Sequence, residues 1–329
     1  MTSTNHDHPR ADELPPPRTQ EVAEGVYAYI QPDGGWWINN TGFVLGDHTM
    51  LCIDSCATER RTRAFLQAVD TVWRARRGGP APSDDQGRGG ARMLVNTHQH
   101  GDHTNGNCLV PDATIIGHHR CREAIQAMGI LRPDGLWEPV EWGELEPAPP
   151  FVTFERRLDL YVDDLLVELH HFGTAAHTTN DVVAWIPEHR VLFTGDLVFN
   201  GGTPFVVMGS VAGSFVALDC LMELDPAVIV PGHGEVCGPE VIDVAGEYLR
   251  FLQKLTVEAK EVGLTPLEAA LSADLGRFAT LGHPERLVGN LHRAYAESEG
   301  ARPGDPIDVA AALLDMITLN GGKPLTCQA

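Results

Sequence analysis

Between residues 98 and 103 the chain carries three histidines and an aspartate, in the order His98-Gln99-His100-Gly101-Asp102-His103. Neutral imidazole and carboxylate suit zinc, at about 2.0–2.2 Å per bond. The run follows Met93-Leu94-Val95, which reads as the end of a buried strand. On the turn after such a strand, His98 and His100 can face one metal, and Asp102 with His103 a second beside it. Packed this closely without a cation, the four polar side chains would have no common partner to offset their desolvation.

The complement that such a centre needs lies further along. His177 follows Phe172-Gly173-Thr174-Ala175-Ala176, past the apolar run Leu165-Leu166-Val167-Glu168-Leu169. Asp196 ends Val191-Leu192-Phe193-Thr194-Gly195-Asp196, and His233 lies in Pro231-Gly232-His233-Gly234 after Val228-Ile229-Val230. Each is expected at the carboxyl end of an apolar strand, where a rigid scaffold positions loops for chemistry.

The elements that must position these groups can be read in outline. A first strand is expected over Val22 to Ile30, and two strands joined at Gly46-Asp47 fill Gly42 to Asp54. Glu59 to Arg77 reads as a helix with Phe65, Leu66, Val69, Val72 and Trp73 on one side. Residues 78–91, rich in Gly, Pro, Ser and Asp, read as a mobile surface loop. A strand near 113–117 and a helix near 119–128 follow the metal turn, and 129–150 is irregular. Three strands follow from Phe151, then two more between the His177 and Asp196 turns, a helix over 211–224, a last strand at 227–230 and a long helix over 239–262. Further helices are expected near 264–275, 284–298 and 306–318. Two groups of strands with helices outside both predict an α/β chain folded as a four-layer αββα sandwich. The expected organisation is a disordered tail over 1–18, a main domain over 19–262, and a helical extension over 263–329 packed on it.

Composition narrows the function. The 329 residues are 43% apolar, enough for a large core. A net charge of −21 opposes a polyanionic partner, so nucleic acid is excluded as a substrate. The seven cysteines are odd in number and show no paired framework, so they are expected as reduced packing residues. No apolar signal segment opens the chain and no run of 18 apolar residues occurs, which points to the cytoplasm and away from a membrane.

Asp54 in Cys52-Ile53-Asp54-Ser55, Thr97-His98-Gln99-His100-Gly101-Asp102-His103, Ala176-His177-Thr178, Thr194-Gly195-Asp196 and Pro231-Gly232-His233-Gly234 together resemble the metallo-β-lactamase-fold hydrolases, in the family's order, over roughly residues 20–255. The resemblance gives the first zinc His98, His100 and His177. It gives the second Asp102, His103 and His233, with Asp196 bridging. His and Asp also accept iron and manganese. Aspartate at 196 points to thioester, lactone and phosphodiester hydrolases, whereas a cysteine there would point to true β-lactamases of one subclass. His100 argues against the flavodiiron branch, which has glutamate at that place. Two metals about 3.5–4 Å apart polarise a carbonyl and bring a water's pKa to about 7. Asp102 and Asp54 are the catalytic candidates: Asp102 orients the attacking water, and Asp54 fixes a ligand from behind. Asn180 and Asp181 are expected to support the His177 loop. His118, His119, His170 and His171 match no ligand position and are expected as structural or pocket-lining groups, while His6 and His8 are expected in water.

Trp36, Trp37, Trp137, Trp142 and Phe205 fall in segments that this fold places around the metal mouth, and an aromatic rim suits a flat or acyl-chain substrate. A finer resemblance rests on Gly25-Val26-Tyr27-Ala28-Tyr29, Gly34-Gly35-Trp36-Trp37-Ile38-Asn39-Asn40, Gly202-Thr203-Pro204-Phe205 and the stretch from Pro231 to Glu240. These segments are similar to the cyclases of aromatic (type II) polyketide pathways, of the actinorhodin bicyclase type. That resemblance implies closure of a second ring by an aldol step, then thioester cleavage from an acyl carrier protein. The alternatives are a general thioester or lactone hydrolase resembling glyoxalase II or a lactonase, a mononuclear iron persulfide dioxygenase, a β-lactamase, and a catalytically silent binding protein. A homodimer through the helical extension is also open.

Overall fold

The computed structural model describes residues 14–77, 92–110, 112–130, 132 and 135–329. The expected loop over 78–91, most of the expected tail, and His6 and His8 lie outside the described residues. Strands β1 (Arg18–Ala23), β2 (Val26–Ile30), β3 (Thr41–Leu45), β4 (Met50–Ile53), β5 (Arg92–Val95), β6 (Thr114–His118) and β7 (Val152–Phe154) form one sheet in chain order. The first four pair antiparallel and the last three join parallel. A second sheet runs β12 (Val228–Gly234), β11 (Val191–Asn200), β10 (Val183–Ile186), β9 (Leu165–His170), β8 (Arg157–Val162). Only its β11–β12 pair is parallel.

The period-2 alternation of each strand sorts the layers. Along β2, Val26, Ala28 and Ile30 join Val44, Leu51, Ile53 and Val95 in a core that faces Val167, Leu169, Ala184, Val191 and Phe193 of the second sheet. The intervening Tyr27 and Tyr29 point the other way and pack with Phe65, Val69 and Trp73 of α1 (Glu59–Arg77). The one-turn α2 (Gly101–Thr104) carries Asp102 and His103, and α3 (His119–Met128) lies beside β6. Outside the second sheet, α4 (Val211–Glu223) and α5 (Glu240–Glu261) cover β11. Helices α6 (Pro266–Ser272), α7 (Arg286–Ser298) and α8 (Val309–Leu319) extend that layer. Trp185, Leu192, Leu249, Leu252, Leu287, Leu291 and Met316 share one apolar cluster with Trp36, Trp37 and Trp137. The layers are therefore helix, sheet, sheet, helix, as expected. No helix among the described residues is long and apolar enough to cross a membrane.

Two expectations are corrected. The single strand over 22–30 is a hairpin: Gly25, at φ +71°, turns the chain between β1 and β2. Glu21 closes the turn by accepting from the Gly25 amide at 3.0 Å and the Tyr27 hydroxyl at 2.9 Å. Arg18, expected as the last residue of the tail, is instead the first residue of the edge strand. Asp196 and His233 are also not in turns after their strands. β11 continues to Asn200 through irregular register on both sides of Gly195, and β12 runs to Gly234. The distortion lets Asp196 leave the ladder toward the centre. It also requires Gly232, where a Cβ would come within 1.9 Å of Asp196 Oδ1.

Candidate metal centre

The seven side chains proposed as ligands converge at one end of the sandwich. The ligand atoms of His98, His100, His177 and Asp196 lie within 4.8 Å of one another, as do those of Asp102, His103 and His233. In the first group His98 Nε2 is 3.1 Å from His100 Nδ1, which is 2.9 Å from His177 Nε2. Asp196 stands between the groups, with Oδ2 3.3 Å from both His177 Nε2 and His233 Nε2, and Oδ1 3.1 Å from His103 Nε2. His233 Nε2 is also 3.3 Å from Asp102 Oδ2.

The nitrogens turned away from the centre are held in place. His177 Nδ1 donates to the Phe205 carbonyl at 2.6 Å, and His233 Nδ1 to that of Gly34 at 3.1 Å. His103 Nδ1 meets Asp54 Oδ2 at 2.7 Å. The Thr97 hydroxyl donates to the same Asp54 oxygen at 2.7 Å, so it accepts from His98 Nδ1 at 3.1 Å. Such outer partners fix ring orientation and tautomer. They leave the inner nitrogens of His98 and His177 as lone pairs, converging with His100 and Asp196 to within 4.8 Å of one another. His103 Nε2 and Asp196 Oδ1 are buried facing each other at 3.1 Å, with no other hydrogen-bond partner. Lone pairs converging on each other and on carboxylates have no favourable arrangement without positive charge. The donor set of five imidazoles and two carboxylates fits two divalent cations, His98, His100 and His177 holding one, Asp102, His103 and His233 the other, and Asp196 reaching both.

The electrostatics of the metal-free chain agree. Burial, with His103 adding, holds His98 well below the ordinary imidazole value, and burial with His177 brings His100 to about 3. Burial also acts against protonated His103 and His233, but the surrounding carboxylates outweigh it. Asp196, Asp54 and Asp102 hold His103 well above the ordinary value, and His233 rises to about 9, chiefly through Asp196. Asp102 falls to about 2 despite burial because His103 and His233 favour its charge.

Asp54 is buried and acts through His103 and Thr97; it does not line the cavity. It holds φ +62°, and its Oδ1 accepts from the Thr97 amide at 2.7 Å. Asp181 accepts from the Thr178 amide and hydroxyl, and Asn180 donates to Gln99 at 2.6 Å, so both brace the ligand loops. His118 and His171 pack ring to ring at 4.1 Å and His170 meets Glu168 at 2.8 Å; neither these three nor His119 line the cavity.

A cavity of about 320 Å³ opens over the ligands. Trp36, Trp37, Trp137 and Phe205 line it with Phe199, as expected for all but the last. Trp142 does not: it stands behind Trp37, their ring centroids 5.0 Å apart. Trp36 meets Trp137 and Phe205 edge to face, at 5.5 and 5.2 Å.

The sequence reading missed what α7 does. Arg286, Asn290 and Arg293, spaced to share one helical face, grip the loop that carries Phe205. Arg286 Nη1 donates to the Thr203 carbonyl at 3.0 Å. Asn290 donates to the Pro204 carbonyl at 2.7 Å and accepts from the Val206 amide at 2.9 Å. Arg293 donates to the Val207 carbonyl through Nε and Nη2 at 3.0 and 2.7 Å. Two arginines and an asparagine on the buried side of an amphipathic helix were the available signal.

The profile described as the Metallo-beta-lactamase superfamily matches residues 35–233, more than half of the chain. The chain belongs to the metallo-beta-lactamase superfamily. Members are mostly metal-dependent hydrolases, in keeping with the paired ligand groups. The match ends at His233, so Arg286, Asn290 and Arg293 lie outside it. A hydroxyacylglutathione hydrolase of Rhodospirillum rubrum is 26% identical over 226 residues, covering 66% of this chain and 76% of that protein. A "Beta-lactamase-like protein 2 homolog" of Caenorhabditis elegans is 26% identical over 161 residues, 49% of this chain and 48% of its own. The chain spans about half the length of two of the curated relatives that it matches. A metallo-beta-lactamase from Pontibacter korlensis superposes with a TM-score of 0.55 at 15% identity, covering 71% of this chain and 99% of that one. That likeness is one of fold.

Proposed function

We propose that this superfamily member is a two-zinc hydrolase of acyl thioesters with a flat, largely apolar acyl group, and that it acts as a second-ring cyclase and thioesterase on an aromatic polyketide intermediate, free or attached to a carrier protein. The observation that carries the reading is the aromatic cavity set directly on the ligand cluster, with Trp36, Trp37, Trp137, Phe199 and Phe205 around His100, Asp102, His177, Asp196 and His233. Flat faces and edges of this kind hold planar or extended acyl chains and exclude water from the reacting carbonyl.

Two bound divalent ions would supply Lewis acidity for the carbonyl and lower the pKa of an attacking water. The chain's own residues do the rest. Asp54 and the carbonyls of Phe205 and Gly34 lock three imidazoles in position. Asp102 lines the cavity as a carboxylate, so it is placed to accept a proton from water, or from the acidic carbon between two ketones for ring closure. In hydrolysis a C–O bond forms as the C–S bond breaks, and the thiol leaves with the proton that water gave up.

The hydroxyacylglutathione hydrolase relative supports a second reading, thioester cleavage with no ring closure. Thiol release from an aromatic β-ketoacyl thioester, with and without chelator, followed by product analysis, separates the two. Chelator-sensitive release with a new ring supports the first reading, and release of the open acid alone supports the second. No release from protein carrying both metals would refute both.

A further inference from the structure

Arg286 opens α7 beyond the part of the chain that the superfamily profile covers, and it is 2% exposed. It lines the same cavity as the metal ligands. Its guanidinium carbon lies 4.2 Å from the Trp36 ring centroid and 5.0 Å from that of Phe199. Nη1 holds the Thr203 carbonyl at 3.0 Å, and Nε has no hydrogen-bond partner. No carboxylate among the described residues forms an ion pair with it. The neighbouring Glu285 is engaged elsewhere, accepting from Trp36 Nε1 at 2.6 Å and lying 3.4 Å from His283 Nδ1.

A buried guanidinium with one neutral acceptor and two aromatic faces is incompletely satisfied, because five N–H donors fit planar, bidentate anions. Loop support alone would not require it: Asn290 and Arg293 already hold the next residues of that loop. Asp102 and Asp196 share the cavity with Arg286 and attract its charge, but both stand in the metal-ligand groups, where bound cations would neutralise them.

We propose that Arg286 is a specificity residue that binds an anionic oxygen group on the substrate, a carboxylate or an ionised enol or phenol, at a point separate from the carbonyl under attack. The substrate is then a planar acyl compound with two oxygen functions, one at the metal ligands and one against Arg286, with its ring between the tryptophans. The inference rests on the acyl-hydrolase reading for the name of the substrate, but its test does not require turnover.

The test is calorimetric binding of naphthalene-2,6-dicarboxylate and of its half-amide, 6-carbamoyl-2-naphthoate, to the metal-loaded full chain. Both leave one carboxylate for the metals, and only the first offers a second anion. The wild-type chain is expected to bind the dicarboxylate about 10–100-fold more tightly. Arg286→Gln should abolish that preference, while Arg286→Lys, which keeps the charge and much of the stem, should retain part of it. Metal content and an unfolding curve accompany each variant. If Arg286→Gln does not fold, the wild-type preference and its partial retention in Arg286→Lys decide the matter. Equal affinity of the wild-type chain for both compounds, or an undiminished preference in folded Arg286→Gln, would overturn the proposal. A preference that depends on Arg286 in a protein that cleaves no thioester would uphold it and remove the hydrolase reading instead.

Discussion

Replacing Asn290 with alanine should loosen one metal more than the other, from a helix outside the sandwich's sheets. Asn290 is fully buried and makes three hydrogen bonds, with the Val206 amide at 2.9 Å, the Pro204 carbonyl at 2.7 Å and the Tyr248 hydroxyl at 3.0 Å. Alanine strands three partners, the Val206 amide and Tyr248 hydroxyl buried and the Pro204 carbonyl half-buried, each at a cost of about 1–3 kcal/mol when fully buried. The Tyr248 hydroxyl can rotate and a water can enter the space left, so a net loss of about 3 kcal/mol is expected. The loop so released carries the Phe205 carbonyl that fixes His177 at 2.6 Å. Loss of such a support weakens a metal by about 10–100-fold. The metal held by His98, His100 and His177 should therefore weaken by that factor, and the one held by Asp102, His103 and His233 much less. The assay is stepwise zinc titration against a competing chelator, beside chemical denaturation. Leu291→Ala, a cavity in the same helix, is the control: it should cost about 2–5 kcal/mol and leave the two affinities in their original ratio. Asn290→Ala that destabilises while preserving that ratio would refute the reasoning.

Other outcomes follow from the same geometry. Asp54→Ala removes the acceptor of His103 Nδ1 and should weaken the Asp102-His103-His233 site by about 10–100-fold in the same titration; unchanged affinity would exclude the bracing role. Asp196→Ala should lower occupancy of both sites, because Oδ2 lies 3.3 Å from both His177 and His233, whereas His233→Ala should empty mainly one. In metal-free protein the His233 pKa is raised to about 9, so its stabilising contribution is complete below an unfolded value of about 6.5 and is lost as pH rises through 9. Denaturation of metal-free protein should thus show falling stability between those limits. Metal affinity of the second site should rise over the same interval, since a proton no longer has to be displaced. A metal-free chain that gained stability there would contradict the sign.

Much of the centre was legible in the sequence because its ligands are local. His98, His100, Asp102 and His103 are fixed relative to one another by a single strand-to-helix turn, and each distant ligand follows its own apolar run. The helix over Glu59 to Arg77 was legible for a similar reason, a long segment with one apolar face. The first hairpin was not: a two-residue turn at Glu24-Gly25 does not interrupt an otherwise strand-like composition. Nor was the extension of β11 past Asp196, which depends on pairing with β12 across the bulge. Trp36, Trp37 and Trp142 look alike in the sequence, yet only the first two reach the cavity, because side-chain depth is set by tertiary packing. The grip of α7 on the loop from Thr203 to Val207 joins residues more than 80 positions apart, so the polar residues on the buried side of α7 were visible but their partners were not.

The most direct test of the central account is zinc titration into metal-free protein while thiol release from an aromatic β-ketoacyl thioester is followed. The account predicts no release at the start, a rise with added metal, and saturation at two zinc ions per chain. Full activity with a single iron per chain, or no release with both sites filled, would contradict it.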